Sequence, residues 1–408
     1  MPRNRVIYQS EALFAAPTGT LCLTTGEHNL RRIQSCNYNF AIQRQDINQY
    51  GELAAIDRLI IQEPTVSVDM SYYFEPSGFN EQHMGLQVNT TTTELVATGA
   101  STISDHMLNR IIASGAQYDQ KNIFVLISDA GIDANDTAGE GPGPGPGMGV
   151  SGNYNGIIGI GNAFLTSWSL DASVGAIPTV SCAFEGQNIN FTGWGSDGIT
   201  SPNDGLPLNS GSIFNPSIFN GAESVNANIS GMYVSLPSGA GLFQSESQVS
   251  AVRPGDVTVL LTAYGTDNAP VVGFLESDLK VQSVNFGLTV GREPIRKLGS
   301  MFAFTREITF PINCTMSVSA IVGDTVGKRL FSLVTGNGDI KYNCAVKLTG
   351  YRAGSATGTD AYLVLKGAKI DSQNVTSSIG PNKAITIELS AQIGRNSGLH
   401  MYGKSATP

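Results

Sequence analysis

A chain of 408 residues with 41% hydrophobic content is long enough for two domains, each with a core of its own. Only 14% of the residues are charged, against roughly 25% in ordinary soluble domains, which suits a surface largely covered by neighbouring molecules. The net charge is −9 and no basic run is longer than Arg31-Arg32. That excludes the clustered cations a tight nucleic-acid binder needs, and no stretch approaches the roughly 18 apolar residues of a membrane-spanning helix.

Residues 1–10 are polar and carry no signal-peptide core, so cytoplasmic synthesis is expected. The first predicted hairpin pairs residues 33–42 with 65–73. Apolar Cys36, Tyr38, Phe40 and Ile42 alternate with polar Asn37 and Asn39, and Val66, Val68 and Met70 alternate with Ser67 and Asp69. Side chains of a strand alternate faces, so both runs specify a sheet with one apolar and one polar face. A short amphipathic helix is predicted over 104–114, with Leu108, Ile111 and Ile112 on one face and Gly115 as its stop. A strand over 123–127 follows, then the Gly-Pro run 139–149, which can neither continue a ladder nor bury side chains and reads as an exposed loop. A second hairpin is predicted from 163–171 and 179–189.

Residues 194–255 are rich in Ser, Asn, Gly and Pro and read as loop and linker with room for one or two edge strands; residues 257–261 then open a new strand. From here the chain repeats itself. Residues 281–322 rewrite 33–74 at a distance of 248 positions: Val284 stands for Cys36, Phe286 for Tyr38, Leu288 for Phe40, Asn285 for Asn37, and Thr315 for Ser67. A helix over 324–334, a strand over 344–348 and a hairpin from 362–371 and 384–393 complete the second copy in the same order. The expected division is a first domain over 1–198, a linker over 199–255 and a second domain over 256–408.

Catalytic and metal chemistry find little support. His28, His83, His106 and His400 belong to no metal or triad motif, and the sequence has no GxSxG elbow. The Gly156–Gly161 stretch lacks the third glycine of a dinucleotide fingerprint, and Gly327-Lys328 follows no phosphate loop. Asp129, Asp133 and Asp136 lack the spacing of a calcium loop. Cys22, Cys36, Cys182, Cys314 and Cys344 are odd in number, without CxxC spacing, and read as free thiols, mainly in apolar strand registers. No cofactor or metal is expected. A glycan-degrading enzyme would need two carboxylates across one cleft, for which Asp69 and Glu185 are the available pair.

An open sheet leaves unpaired backbone groups on its outer strands, and a ring of such sheets joined edge to edge removes them collectively. Residues 33–74, with an RQD, Gly, AAIDR connection between alternating strands, and residues 162–189 resemble the major tail tube protein of long-tailed bacteriophages. The second half resembles a repeat of the same fold, as in the form with two tandem tube domains. The resemblance implies a mainly β chain of two tail-tube-like β-sandwich domains, each with a flanking helix, polymerising as stacked rings into a shared β-barrel. It implies a lumen lined by Asn37, Asn39, Ser67, Asp69, Asp171, Glu185, Asn285, Thr289, Thr315, Ser317 and Glu388, polar and acidic so that passing double-stranded DNA slides. It places Arg44, Asp46, Asp57 and Arg58, with Arg292, Glu293 and Arg306, in connections 43–64 and 291–311 that reach the next ring. Implied partners are further copies of the chain, three per ring or alternatively six, with tape-measure and tail-tip or terminator proteins. The implied location is the virion tail, assembled in the bacterial cytoplasm without a membrane. A capsid decoration protein is the competing structural reading.

Overall fold

The computed structural model describes residues 11–17, 29–60, 65–89, 106–114, 119–128, 154–193, 250–264, 270–274, 280–296, 298, 303, 305–321, 341–352, 358–376, 384–394 and 397–403. The first half contributes β1 (Glu11–Pro17), β2 (Ile33–Ala41), β3 (Arg44–Ile47), β4 (Asp57–Ile60), β5 (Thr65–Tyr73), the short helices α1 (Phe79–His83) and α2 (Asn109–Ser114), β6 (Gln120–Ser128), β7 (Tyr154–Ser173), β8 (Thr179–Gly186) and β9 (Asn188–Gly193). The second contributes β10 (Ser250–Tyr264), β11 (Pro270–Phe274), β12 (Lys280–Thr289), β13 (Arg292–Ile295), β14 (Thr305–Ile308), β15 (Asn313–Ile321), β16 (Lys341–Arg352), β17 (Gly358–Thr376), β18 (Ala384–Gln392) and β19 (Gly398–Tyr402). The architecture is mainly β, and every named strand pairing is antiparallel.

Two four-strand sets, β2-β5-β8-β7 and β12-β15-β18-β17, carry the same pairings. Asn37 faces Asp69 and Asn285 faces Ser317, both shifted by 248 positions (285 against 37, 317 against 69), and the bulge at Ile33/Ser35 reappears at Val281/Ser283. Asp171 faces Thr179 and Thr376 faces Ala384, both shifted by 205 (376 against 171, 384 against 179), with bulges at Leu165/Ser167 and Ile370/Ser372. A bulge bends its strand and raises the local twist, so matched bulges give the two sets matched curvature. The sets are joined directly, β7 to β12, and run as one sheet from β17 to β2.

The long strands β7 and β17 each serve two layers. Their C-terminal parts pair β8 and β18, while their N-terminal parts pair β6 with β9, and β16 with β19. Here too a bulge recurs, at Lys121/Ile123 and at Tyr342/Cys344. The apolar register of both sets turns into the core between these layers: Val66, Val68, Trp168, Phe184, Phe286, Met316 and Leu389 are all buried. Burying each such side chain is worth about 1.5–3 kcal/mol. Under the first set, the Tyr72 hydroxyl donates to Glu81 Oε1 at 2.7 Å on α1, and burial pushes the Glu81 carboxyl up to about 7.

Several expectations shift. Of the helix expected over 104–114, the described residues form Asn109–Ser114; of the three residues expected on one face, Leu108 and Ile111 are buried and Ile112 is exposed. The connections 43–64 and 291–311 contain hairpins of their own, β3-β4 and β13-β14, because Arg44 to Ile47 can ladder with Asp57 to Ile60, and Arg292 to Ile295 with Thr305 to Ile308. Gly51 lies at the outer end of the first hairpin with φ +92°, a conformation that favours glycine. Residues 250–255, at the end of the stretch expected as loop and linker with one or two edge strands, are part of β10. The helix over 324–334, the Gly-Pro run, Asp129, Asp133, Asp136, Cys22, His28 and residues 194–249 lie outside the described residues.

Candidate assembly surfaces

The eleven residues expected on a channel wall occupy one face of the continuous sheet, because residues directly opposite each other across a ladder point the same way. Asp171 faces Asn285, Asn285 faces Ser317, and Ser317 faces Glu388, forming one transverse row. A second row runs Asn37, Asp69, Ala183, Ser167, Thr289. Asn39, Ser67 and Glu185 form a third, and Thr315 sits opposite Gly287 in a fourth. All eleven are exposed or half-buried, and the intervening residues of β5, β8, β15 and β18 are buried. Gly287 keeps its row close-packed: a Cβ there would lie 2.6 Å from Thr315 Oγ1.

The β7-β12 junction is where the two sets meet. Asp171 faces Asn285, Leu170 faces Phe286 and Trp168 faces Leu288, and the Val290 N–H donates to the Thr166 carbonyl at 2.8 Å. The β13-β14 hairpin folds over the end of this junction. Arg292 donates through Nη1 to Asp119 Oδ2 at 2.7 Å and through Nε to the Leu165 carbonyl at 3.2 Å, and its Nη2 engages Asp119 Oδ1. Arg306 pairs with Glu185 at 2.5 Å, and Phe164 lies beneath both guanidinium groups, 4.9 and 5.8 Å away. The side chains of Arg292 and Arg306 are only 2% and 4% exposed. These two arginines, expected in a connection reaching outward, are therefore held inside the chain, and Glu185 is tied to one of them.

Their counterparts in the first copy behave differently. Arg58 pairs with Asp46 of its own hairpin at 2.6 Å, both exposed, while Arg44 and Asp57 are also exposed. The same hairpin presents Ile47, Tyr50, Leu53, Ile56 and Leu59 to solvent. Five neighbouring apolar side chains in that state form a patch of the kind that marks an interaction surface. Glu293, the remaining hairpin residue, is exposed.

Among the described residues, β2 pairs on one side only, with β5, and the C-terminal part of β17 (369–376) on one side only, with β18. They correspond by register to β12 and β7, the strands that join internally. Phe286 and Leu288 are 0% and 1% exposed, whereas Tyr38 and Phe40 at the matching places on β2 are 38% and 36% exposed. Val375 on β17, matching buried Leu170 of β7, is 40% exposed. What one edge pair has buried, the other pair leaves open.

Among the described residues no group of three or more His, Cys, Asp or Glu is placed to hold a metal ion, and no helix is long and apolar enough to cross a membrane. Cys36, Cys182, Cys314 and Cys344 are free thiols, and burial holds Cys36 and Cys314 up at about 12, far from nucleophilic range. Asp69 and Glu185, the available carboxylate pair, lie on neighbouring strands of an open sheet face with Glu185 engaged by Arg306.

No family model matches the sequence. No curated protein matches it either. Among solved structures, the chain is similar to a chain of the anti-feeding prophage baseplate at 13% identity and TM-score 0.25, over 36% of this chain and 93% of that one. It is similar to the SPP1 tail tube structure at 14% identity and TM-score 0.24, over 37% and 79% respectively. It is also similar to an Hcp protein at 11% identity and TM-score 0.21, over 35% and 96%.

Proposed function

We propose that this chain is a structural protein whose copies join edge to edge into rings, and that the rings stack into the tube of a bacteriophage tail. The observation that carries the reading is the internal β7-β12 junction between two four-strand sets of equal register, beside two edges that no described strand covers and that match the joined ones. Repeating that junction from β17 of one chain to β2 of the next adds a strand to each free edge and covers Tyr38, Phe40 and Val375. Edges left open would be sites of uncontrolled pairing. Both sets then build wall, so three chains of two sets each complete a ring of six.

The polar face becomes the lumen in this reading. Its rows carry Asp69, Asp171 and Glu388 among neutral Asn, Ser and Thr, a wall that leaves DNA phosphates hydrated rather than held. The exposed apolar end of the β3-β4 hairpin is suited to contact the ring above or below. Tape-measure and terminator proteins would meet the tube's interior and ends, and the site of action would be the virion tail. Purified protein viewed in negative stain is expected to show hollow polymers of uniform bore; discrete particles alone at every concentration would overturn the reading.

A further inference from the structure

The sheet has two unlike ends. β12 runs from Lys280 to Thr289 and leads into the β13-β14 hairpin, and β2 runs in the same direction into the β3-β4 hairpin, so both hairpins leave from one end. The 10 residues of β12 put the other end about 30 Å away. There the close of β7, the start of β12 and β10 leave an open cleft of about 460 Å³. Val257, Val259, Val281 and Val284 line it, Val174 stands 66% exposed at its edge, and the exposed Lys280 is its one charged residue.

At the hairpin end, the loop joining β3 to β4 (residues 48–56) presents Tyr50 and Leu53 fully exposed, with the exposed Glu52 between them as the loop's one charged side chain. Asp46 and Arg58 neutralise each other farther back. The tip is therefore apolar with one anion, and the cleft is apolar with one cation. They lie at opposite ends of the same sheet, so a chain cannot fill its own cleft with its own tip. The solution that buries both is head to tail, the tip of one chain in the cleft of the next. A heterologous contact of this kind does not close on itself and builds an open polymer.

The geometry points to an interaction surface for a second copy of this chain: Tyr50 and Leu53 of one β3-β4 hairpin enter the cleft between β10 and the β7-β12 junction of a chain in the next ring, and Glu52 meets Lys280. This inference rests on the stacked-ring reading above and supplies its receiving surface. The matching place in the first copy is unsuited to the same tip. Cys344 pairs with Leu365 and Leu261 as Ile123 pairs with Ile160 and Ala15, so β10 follows β1 at a shift of 246 (261 against 15) and Val257 takes the place of Glu11. Glu11 is exposed and would meet Glu52 with like charge, which is costly across an interface. Arg32, in the place of Lys280, is half-buried and donates to the Phe74 carbonyl at 3.4 Å. Each chain thus brings one β3-β4 tip and one cleft that accepts it.

The test uses the full chain, with electron microscopy distinguishing rings from tubes and sedimentation giving the critical concentration for tubes. E52K and K280E are each expected to raise that concentration at least about tenfold while rings still form, and E52K/K280E to return to within about threefold of the unaltered chain. Y50S/L53S is expected to give rings that do not lengthen, with the melting temperature of the unassembled chain unchanged because both side chains are exposed. Normal tubes from Y50S/L53S or from either single charge variant, or a combined variant that folds and fails to recover, overturns the docking and leaves the edge-to-edge rings standing. Loss of the rings themselves in Y50S/L53S assigns the hairpin to the ring contact and overturns the docking as well. An unaltered chain that stops at rings overturns stacking and docking together, and one that forms neither rings nor tubes overturns the edge-to-edge reading with them.

Discussion

Phe40→Pro is expected to leave a folded chain that forms no polymer. Across the internal junction the Val290 N–H reaches Thr166, and alternate residues of an antiparallel strand send their N–H groups to the same side. Leu288 and Phe286 therefore point theirs toward β7, and Phe40 and Tyr38, at the corresponding places on β2, point theirs away from β5 to the open edge. Proline at 40 deletes an N–H that points away from β5, to a side on which no described strand pairs with β2, and proline is tolerated on an edge for that reason. In a ring the same deletion removes one ladder bond from each junction between chains and sets a pyrrolidine ring against the incoming strand. Sedimentation should place all the protein in the unassembled fraction at concentrations that polymerise the unaltered chain, with a melting temperature within about 2 °C of it, since surface changes stay within about 0.5 kcal/mol. Normal polymers from this variant would show that β2 is not a joining edge.

Arg292→Ala is expected to cost about 3–5 kcal/mol, the range for removing one member of a buried ion pair. The Arg292 side chain is 2% exposed and holds Asp119, itself 13% exposed, while also satisfying the Leu165 carbonyl. Its removal leaves a carboxylate and a carbonyl facing Phe164 with little water. Arg44→Ala, the same substitution in the first copy, should change the stability of the unassembled chain by less than about 0.5 kcal/mol because Arg44 is exposed there. Urea midpoints of the two variants give the comparison. Equal small effects would mean that the buried arginine contributes no more than a surface one, and the internal junction would lose its status as a template.

Much of this was legible in the sequence, and the boundary between what was and was not is physical. Strict alternation is a local signal, so β2, β5, β8, β12, β15 and β18 could be placed from residue pattern alone, and the 248-position echo carried over into pairings and a bulge. β1, α1 and β19 had no such pattern. β1 is defined by its partner β6 more than a hundred residues away, and the five residues of β19, all buried, show no alternation of environment. The arginines misled for the same reason. Arg44 and Arg292 occupy identical places in their hairpins, and only Asp119, 173 positions before Arg292, makes one of them a buried clasp. The departures between copies at Asp46 and Asp57 were visible in the sequence as contacts that must differ.

The internal junction is expected to recur between chains, three chains to a ring. Gly287 faces Ser169 across the internal junction, and the same register shifts place Asn39 of one chain opposite Asn374 of the next. Both belong to the residues that do not exchange hydrogen bonds across the junction, where side chains come closest. Polymers of N39C/N374C should form disulfides on mild oxidation, and a denaturing gel run without reductant should show one, two and three chains and nothing larger, while either single cysteine variant stays a monomer. A ladder extending to six chains would contradict the count, and the absence of any cross-link in assembled polymer would contradict the junction itself.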